Sequence, residues 1–323
     1  MSETVKKMDV EKIRRVFAKR RTKDLIFYSL LLALPLLQFC IFYVGVNLNS
    51  LLLAFKTYRE NDQYAWAGWT NFANLFESFS LLTVFRVALV NSLKLFFIGT
   101  LSGLICGLLF SYYIYKKALL RNFFKILLFL PSIIPSIALV LMFKQIADGA
   151  IPALLAEMGI TARGLLANPD TTFGTIIFYN VWVGFGVSIL LYVGAMEKIP
   201  EGVVEAAELD GTGYFQEFIF ITIPLVWDTM STFIIVAVGG IFVNQANIYA
   251  FYSDAAEEYV VTIGYYLYKE TVKTGAAADY PVLSAFGILL SVITIPLVYA
   301  VKFVLGKIGP ATEERRRTFE RQK

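Results

Sequence analysis

The sequence predicts an all-α, polytopic membrane protein with six spanning helices, and three observations carry that prediction. Hydrophobic residues fill 57% of the 323 positions and charged ones only 17%, against about 25% charged in soluble domains. Mean hydropathy is +0.64, more apolar surface than a soluble core of this size can hide. Long stretches free of Asp, Glu, Lys and Arg recur along the chain, and most reach the roughly 20 residues that cross hydrocarbon. Zero histidine argues against most metal centres and triad hydrolases, which need imidazole as ligand or base. Cys40 and Cys106 lie alone inside apolar runs, so neither a disulfide framework nor a paired-thiol metal site is expected. A net charge of +4 is too small to argue for nucleic acid.

The elements follow in order. The N-terminal tail, 1–24, holds nine Lys and Arg; Val5 to Arg21 reads as an amphipathic helix on anionic lipid or as a topology signal. Leu25 to Phe55 exceeds the apolar core of a signal peptide and no small-x-small site closes it, so it is read as a retained anchor, with the span at about 25–47. Leu95 to Tyr115 marks the second span, about 90–115. Ile126 to Phe143 contains Pro131 and Pro135 and is read as a shorter, kinked third span, about 123–145. Next comes a short amphipathic helix, Ala153 to Met158, and a turn punctuated by Gly164 and Pro169; this region either docks a partner or packs over the span mouths. Thr171 to Met196 sets the fourth span, about 172–195. Thr229 to Ser253 sets the fifth, which begins early near Phe218 and takes Pro224 and Asp228 into its first turns, about 218–243. Tyr280 to Val301 sets the sixth, about 281–304. A basic tail, 306–323, closes the chain behind a single membrane domain, 25–305.

Orientation follows from the bases. The N-terminal tail has nine, Lys116 to Lys125 four and the segment from Lys302 onward seven, while the alternate connections are poor. Both termini are therefore expected in the cytoplasm. The connection between spans four and five, 197–217, breaks the rule. It holds Lys198 against Glu197, Glu201, Glu205, Glu208, Asp210 and Glu217, which suggests a protein partner or else a merely solvated acidic helix.

That connection carries the main functional signal. Pro200 suits a helix start, Gly211 or Gly213 a helix stop, and acids crowd the first turns where the helix dipole favours them. A short helix of about three turns is expected, with Gly202, Ala206 and Ala207 admitting a close neighbour and Val203, Val204 and Leu209 forming an apolar face. Glu205-Ala206-Ala207, then Gly211, then Ile221 and Pro224 resembles the signature of permease subunits of bacterial binding-protein-dependent ABC importers; Ile223 stands where the family usually has Leu. Trp182, Gly184-Phe185, Ala195, Ile199-Pro200, Asp210-Gly211 and Trp69-x-Asn71-Phe72 are similar to its carbohydrate branch. The resemblance implies the type I importer permease fold. It also implies that the loop helix docks in a cleft of an ATP-hydrolysing subunit, with Glu205 touching that subunit through charge, Ala206, Ala207 and Gly211 setting the fit, and Asp210, Ile221 and Pro224 completing the coupling residues. The implied partners are a second homologous permease, in a heterodimer, an ATPase dimer holding ATP and Mg, an extracytoplasmic solute-binding protein, a sugar and the bilayer. No Gly-x4-Gly-Lys-Ser/Thr loop occurs, so this chain is not expected to hydrolyse ATP or to be an enzyme.

Polar groups inside spans are costly and hence pathway candidates. Asn180, Asn244, Gln245 and Asn247, with Tyr179, Trp182 and Tyr249, offer amides for hydroxyl-rich ligands and aromatic faces for sugar rings. The bland alternatives are interface aromatics, as for Tyr265, Tyr266 and Tyr268, and amides bonded across helices; Asn91 fits either. The rival functions are an ion-coupled secondary carrier and a membrane-embedded enzyme. The first lacks intramembrane acids beyond Asp228, and the second lacks an acid cluster or nucleophile with a base. A di- or oligosaccharide is the expected cargo, although phosphosugars or glycosylated polyols would present the same signals.

Overall fold

The computed structural model describes residues 23–59, 63–81, 83–272 and 280–310. The basic tails read from the sequence lie outside these residues except for 23–24 and 306–310. Among the described residues, four helices are long and apolar enough to cross a membrane, and six if each of two bent pairs counts as one span.

Helix α1, Lys23–Leu53, buries none of its most apolar stretch within the chain, so its Leu, Ile and Phe side chains face whatever surrounds the molecule. A two-stranded hairpin follows that periodicity did not announce: β1, Lys56–Arg59, pairs antiparallel with β2, Gln63–Trp66. Phe55 is enclosed by Trp66, Trp69 and Phe72 with ring centroids 5.8, 5.2 and 5.4 Å away. Buried Asn71, at the start of α2 (Thr70–Leu81), donates to the Ala54 and Lys56 carbonyls at 2.8 and 2.7 Å. The Trp69-x-Asn71-Phe72 segment thus caps the end of α1, satisfying carbonyls that a helix end leaves unpaired.

Helix α3, Thr83–Tyr115, starts earlier than expected and includes Arg86 and Lys94. At 1.5 Å per residue it is about 50 Å long, well beyond the roughly 30 Å of hydrocarbon, so both charges can sit near a polar boundary. Helix α4, Arg121–Phe129, ends in a 3-10 turn at Leu130–Ser132. The chain then restarts at Pro135 as α5, Ser136–Glu157. Here the structure departs from the expected kinked span over 123–145. Two prolines four residues apart lack the N–H donors a through-helix needs, so the long apolar helix lies beyond them and absorbs the separate helix expected at Ala153 to Met158.

Helix α6, Pro169–Met196, opens on Asn168, whose side chain accepts from the Asp170 N–H at 3.1 Å. It lies along α3 and bends by 42° between Gly184 and Gly186. A Cβ on Gly186 would come within 2.4 Å of the Leu128 carbonyl oxygen, so glycine there permits the close pass of the α4 end. Helix α7, Glu201–Leu209, and α8, Tyr214–Leu225, follow. The chain then turns by 68° into α9, Trp227–Gly239. The fifth span expected over 218–243 is therefore broken. Pro224 cannot donate, a π-bulge at Phe218–Thr222 accommodates it, and Val226 leaves helical geometry at φ −97, ψ 9. Irregular backbone from Gly240 leads to α10, Ile248–Tyr252, then α11, Ile263–Val272, and α12, Tyr280–Ile308.

The main core cluster joins α3, α5, α6, α10, α11 and α12 through residues such as Val140, Ile176, Tyr265 and Phe286. A second cluster, Leu108, Tyr192, Met196, Ile199, Phe218, Val226 and Met230, lies at the other end, beneath α7.

Candidate functional site

Helix α7 is the element the sequence singled out. Pro200 is its N-cap, in extended geometry at ψ 129, and Glu201 opens the first turn. The far end closes with a complete left-handed cap: the Gly211 N–H donates to the Glu208 carbonyl at 3.1 Å and the Thr212 N–H to the Ala207 carbonyl at 3.0 Å. Gly211 adopts φ +78, the conformation such a cap requires and glycine supplies without a Cβ penalty.

The residues of the signature divide by exposure. Ala207 and half-buried Val204 pack inward, Val204 against the cluster of Met196, Ile199 and Phe218. Glu205, Ala206, Asp210 and Gly211 are exposed. Ile221 and Pro224 are half-buried in α8. The apolar face read from Val203, Val204 and Leu209 is therefore split: Val204 anchors the helix, while Val203 and Leu209, the latter 89% exposed, point away from the chain. Tyr214 and Phe215, not identified from sequence, are exposed as well; large apolar side chains left exposed together mark interaction surfaces.

Behind α7 sits a charged tie. Glu217 is 2% exposed, and its Oε2 lies 2.7 Å from Lys116 Nζ, just beyond α3. The same ammonium is 3.6 Å from Glu208 on α7 and 5.6 Å from the Tyr214 ring centroid. Burial works against the charge on Lys116, but the hydrogen bond and charge of Glu217, with the charge of Glu208, outweigh it and raise the pKa above the ordinary lysine value. The Tyr112 hydroxyl donates to the Tyr214 carbonyl at 3.0 Å, and its ring meets Phe218 at 4.9 Å. In sequence these residues read only as a topology base and one acid among six. The one available signal was that Glu217 directly precedes an apolar run.

A cavity of about 590 Å³ opens on the face formed by α3, α6 and α9. Its walls carry small and hydroxyl residues, among them Ser92, Gly99, Thr100, Gly103, Gly184, Ser188, Ala237 and Gly240, with Phe96, Tyr192 and Phe233. Asn180 and Asn244 line it. The Asn180 amide donates to the Ile176 and Ala246 carbonyls at 2.8 and 2.9 Å, and its oxygen accepts from Asn247 Nδ2 at 2.8 Å. Asn244 Oδ1 accepts from the Ala246 N–H at 2.8 Å. Ala246 and Asn247 are left-handed, at φ 51 and 55, and these amide bonds hold the irregular turn in place. Non-helical backbone in a membrane domain is tolerated where it lines a cavity.

The other pathway candidates lie elsewhere. Tyr179 is 1% exposed, its ring packed between Phe143 and Phe251 at 4.9 and 5.0 Å. Trp182 is half-buried 6.2 Å from both Phe143 and Tyr179. Tyr249 meets Tyr268 edge-on at 4.8 Å. Gln245 Oε1 is buried without a hydrogen-bond partner among the described residues. The structure therefore brings Asn180, Asn244 and Asn247 together and leaves the aromatic rings in the core. Asn91 proves to be a cross-link, donating to the Tyr259 and Val261 carbonyls at 2.8 and 3.0 Å. The region after α5 packs over the helix ends: Asp148 accepts from the Leu166 N–H and the Tyr252 hydroxyl donates to the Leu166 carbonyl, both at 2.8 Å.

Residues 99–313 match the family model described as "Binding-protein-dependent transport system inner membrane component". The chain is similar to the probable ABC transporter permease protein YurN of Bacillus subtilis, 28% identical over 220 residues, 66% of this chain and 74% of the relative. It is 25% identical to the maltose/maltodextrin transport system permease protein MalF of Escherichia coli K12, over 69% of this chain and 46% of that protein. It is 27% identical to the galactooligosaccharides transport system permease protein GanP of Bacillus subtilis, over 72% of this chain and 57% of that one. The chain thus spans about half the length of the latter two. A crystal structure of a bacterial ABC transporter that imports the acidic polysaccharide alginate matches with TM-score 0.74 at 22% identity, covering 91% of this chain and 99% of that one. The alginate transporter in complex with its pentasaccharide-bound periplasmic protein matches at TM-score 0.70 and 22% identity, over 88% and 94%. At that identity the likeness is one of fold.

Proposed function

The chain belongs to the family of binding-protein-dependent transport system inner membrane components, membrane-embedded permease subunits and not enzymes, and from that premise we propose that it forms half of the translocation pathway of an ATP-driven sugar importer. Membership of that family sets aside the ion-coupled carrier and the membrane enzyme.

The observation that carries the proposal is α7: a self-capped helix with Val203, Leu209, Glu205, Ala206 and Gly211 exposed, set at the end of α6, which farther along walls the α3, α6, α9 cavity. In this reading α7 seats in a cleft of a separate ATPase subunit that binds ATP and Mg. Val203 and Leu209 would supply buried apolar contact there, Glu205 a charged one, and Ala206 the lack of bulk that permits close approach. Asp210, Gly211, Ile221 and Pro224 hold the shape of the loop. Because Val204 anchors α7 on the cluster of Met196, Ile199 and Phe218, a pull on the helix moves the ends of α6 and α8 as a rigid body.

A second permease subunit would close the open side of the cavity. Asn180 and Asn244, with Ser92, Thr100 and Ser188, would then offer donors and acceptors to a hydroxyl-rich cargo; Asn247 acts through Asn180, and Gln245 holds an unsatisfied acceptor nearby. Tyr179, Trp182 and Tyr249 shape the wall from behind. The similarity to maltodextrin and galactooligosaccharide permeases favours a di- or oligosaccharide delivered by an extracytoplasmic binding protein. The chain would sit in a bacterial inner membrane with α7 and both termini in the cytoplasm.

Gentle solubilisation from the native membrane followed by purification tests this. The expected result is a complex with an ATP-binding cassette dimer and a second multi-span subunit; a chain that purifies alone and without ATP hydrolysis would refute it. A thermal-shift screen of the cognate binding protein against di- and oligosaccharides identifies the cargo.

A further inference from the structure

Three helices wall the cavity, and they are not equally connected to α7. Helix α6 joins it through 197–200, and α9 joins it through α8 and the bend at Val226. Helix α3 has no chain continuity with the loop. Its link is made at its end: Lys116 Nζ touches Glu217 on α8 at 2.7 Å and Glu208 on α7 at 3.6 Å.

We propose that the Lys116–Glu217 ion pair, with Glu208, is the coupling tie that makes α3 follow α7 when the docking loop moves, so that Lys116 and Glu217 are positioning residues for transport. The proposal rests on the importer reading above.

Apolar packing of Leu108 and Tyr112 against Phe218 resists separation but is non-directional and lets surfaces slide, and the Tyr112 hydroxyl adds one neutral bond to the Tyr214 carbonyl at 3.0 Å, weaker than a charge-assisted one. A hydrogen-bonded ion pair fixes register between the two elements. Stability alone gives no reason for a carboxylate here, because a buried pair is often matched or bettered by apolar residues of similar volume. Lys116 is one ammonium shared by both helices of the loop, where a single rigid rod leads from it to the cavity. Leu104, Gly103, Thr100 and Ser92 lie on α3, the nearest about 18 Å away at 1.5 Å per residue. Displacement of the loop is thereby carried to the wall.

The test uses the complete complex in proteoliposomes and reads solute transported per ATP hydrolysed. Glu217→Gln and Lys116→Met are expected to lower that ratio about tenfold, while Lys116→Arg, which keeps the charge and donors, stays within about twofold of wild type. A role in stability alone would instead lower yield and both rates in parallel with the ratio unchanged, and that result overturns the tie. If neither variant assembles, Glu208→Gln decides, because that side chain is 62% exposed and exposed substitutions disturb folding little. A fall of about twofold in its ratio supports the tie; an unchanged ratio overturns it. A chain that never co-purifies with an ATPase sinks the importer reading and the tie with it, whereas a working importer whose ratio ignores these variants sinks the tie alone.

Discussion

Gly211 allows the α7 cap to be tested quantitatively. A Cβ built on it meets nothing within 4 Å in this chain, yet its φ is +78. Substitution is therefore penalised by backbone conformation and not by internal crowding, at about 1–2 kcal/mol for an ordinary L-residue forced left-handed. Asn tolerates that region better. The bonds at stake are the Gly211 and Thr212 amides to the Glu208 and Ala207 carbonyls. A shift of 1–2 kcal/mol changes an opening equilibrium by roughly 5- to 30-fold. Hydrogen exchange at the Thr212 amide should accelerate by that factor in Gly211→Ala and by much less in Gly211→Asn. Gly211→Leu has the same backbone penalty and adds bulk on the exposed side, where a partner would approach; it should abolish uptake while the chain still inserts in the membrane. Wild-type exchange at Thr212 in Gly211→Ala would refute the conformational argument. Normal uptake by Gly211→Leu would refute docking at this surface.

Further predictions concern the cavity and its outer turn. Asn180→Leu leaves the Ala246 carbonyl and Asn247 Nδ2 without a partner that they have at 2.9 and 2.8 Å, and should destabilise the solubilised chain by about 1–3 kcal/mol; an unchanged thermal midpoint would contradict the amide cross-link. Gly264→Ala would place a Cβ 2.5 Å from the Val243 oxygen and 2.6 Å from the Asn244 carbonyl carbon. Because those are backbone atoms, a loss of at least about 2 kcal/mol is expected, read as lower folded yield and midpoint. Gly309→Ala would collide with the Trp227 indole, which donates to the Leu305 carbonyl at 3.3 Å; displacement of the ring should red-shift tryptophan emission in a chain whose other three Trp are replaced by Phe.

Much of the molecule was legible in one dimension because membranes and helix ends act locally. Hydrocarbon admits only satisfied backbone, so charge-free runs mark helices, and Pro200 and Gly211 mark the bounds of α7 through their own φ preferences. The same local logic failed at the prolines. Whether Pro131 and Pro135 kink a helix or end it, and whether Pro224 opens a continuous span or precedes a 68° turn, depends on what neighbours replace the lost hydrogen bonds. The hairpin over Lys56–Trp66 escaped because its register is a matter of pairing between strands, not of periodicity within them.

The sequence by itself determined that the chain is a helical membrane protein with one anomalous acidic loop, and which residues give that loop its helix and stop. Tertiary structure alone decided which polar groups act together. Asn180, Asn244 and Asn247 looked no different from Asn91 until packing placed Asn180 and Asn244 at a cavity, bonded Asn247 to Asn180 and spent Asn91 on the Tyr259 and Val261 carbonyls. Likewise Lys116 and Glu217 are 101 residues apart in the sequence and 2.7 Å apart in the fold. A side chain's type is written in the sequence, but its partner is set by which helix surfaces meet, and that is a property of the whole packed bundle.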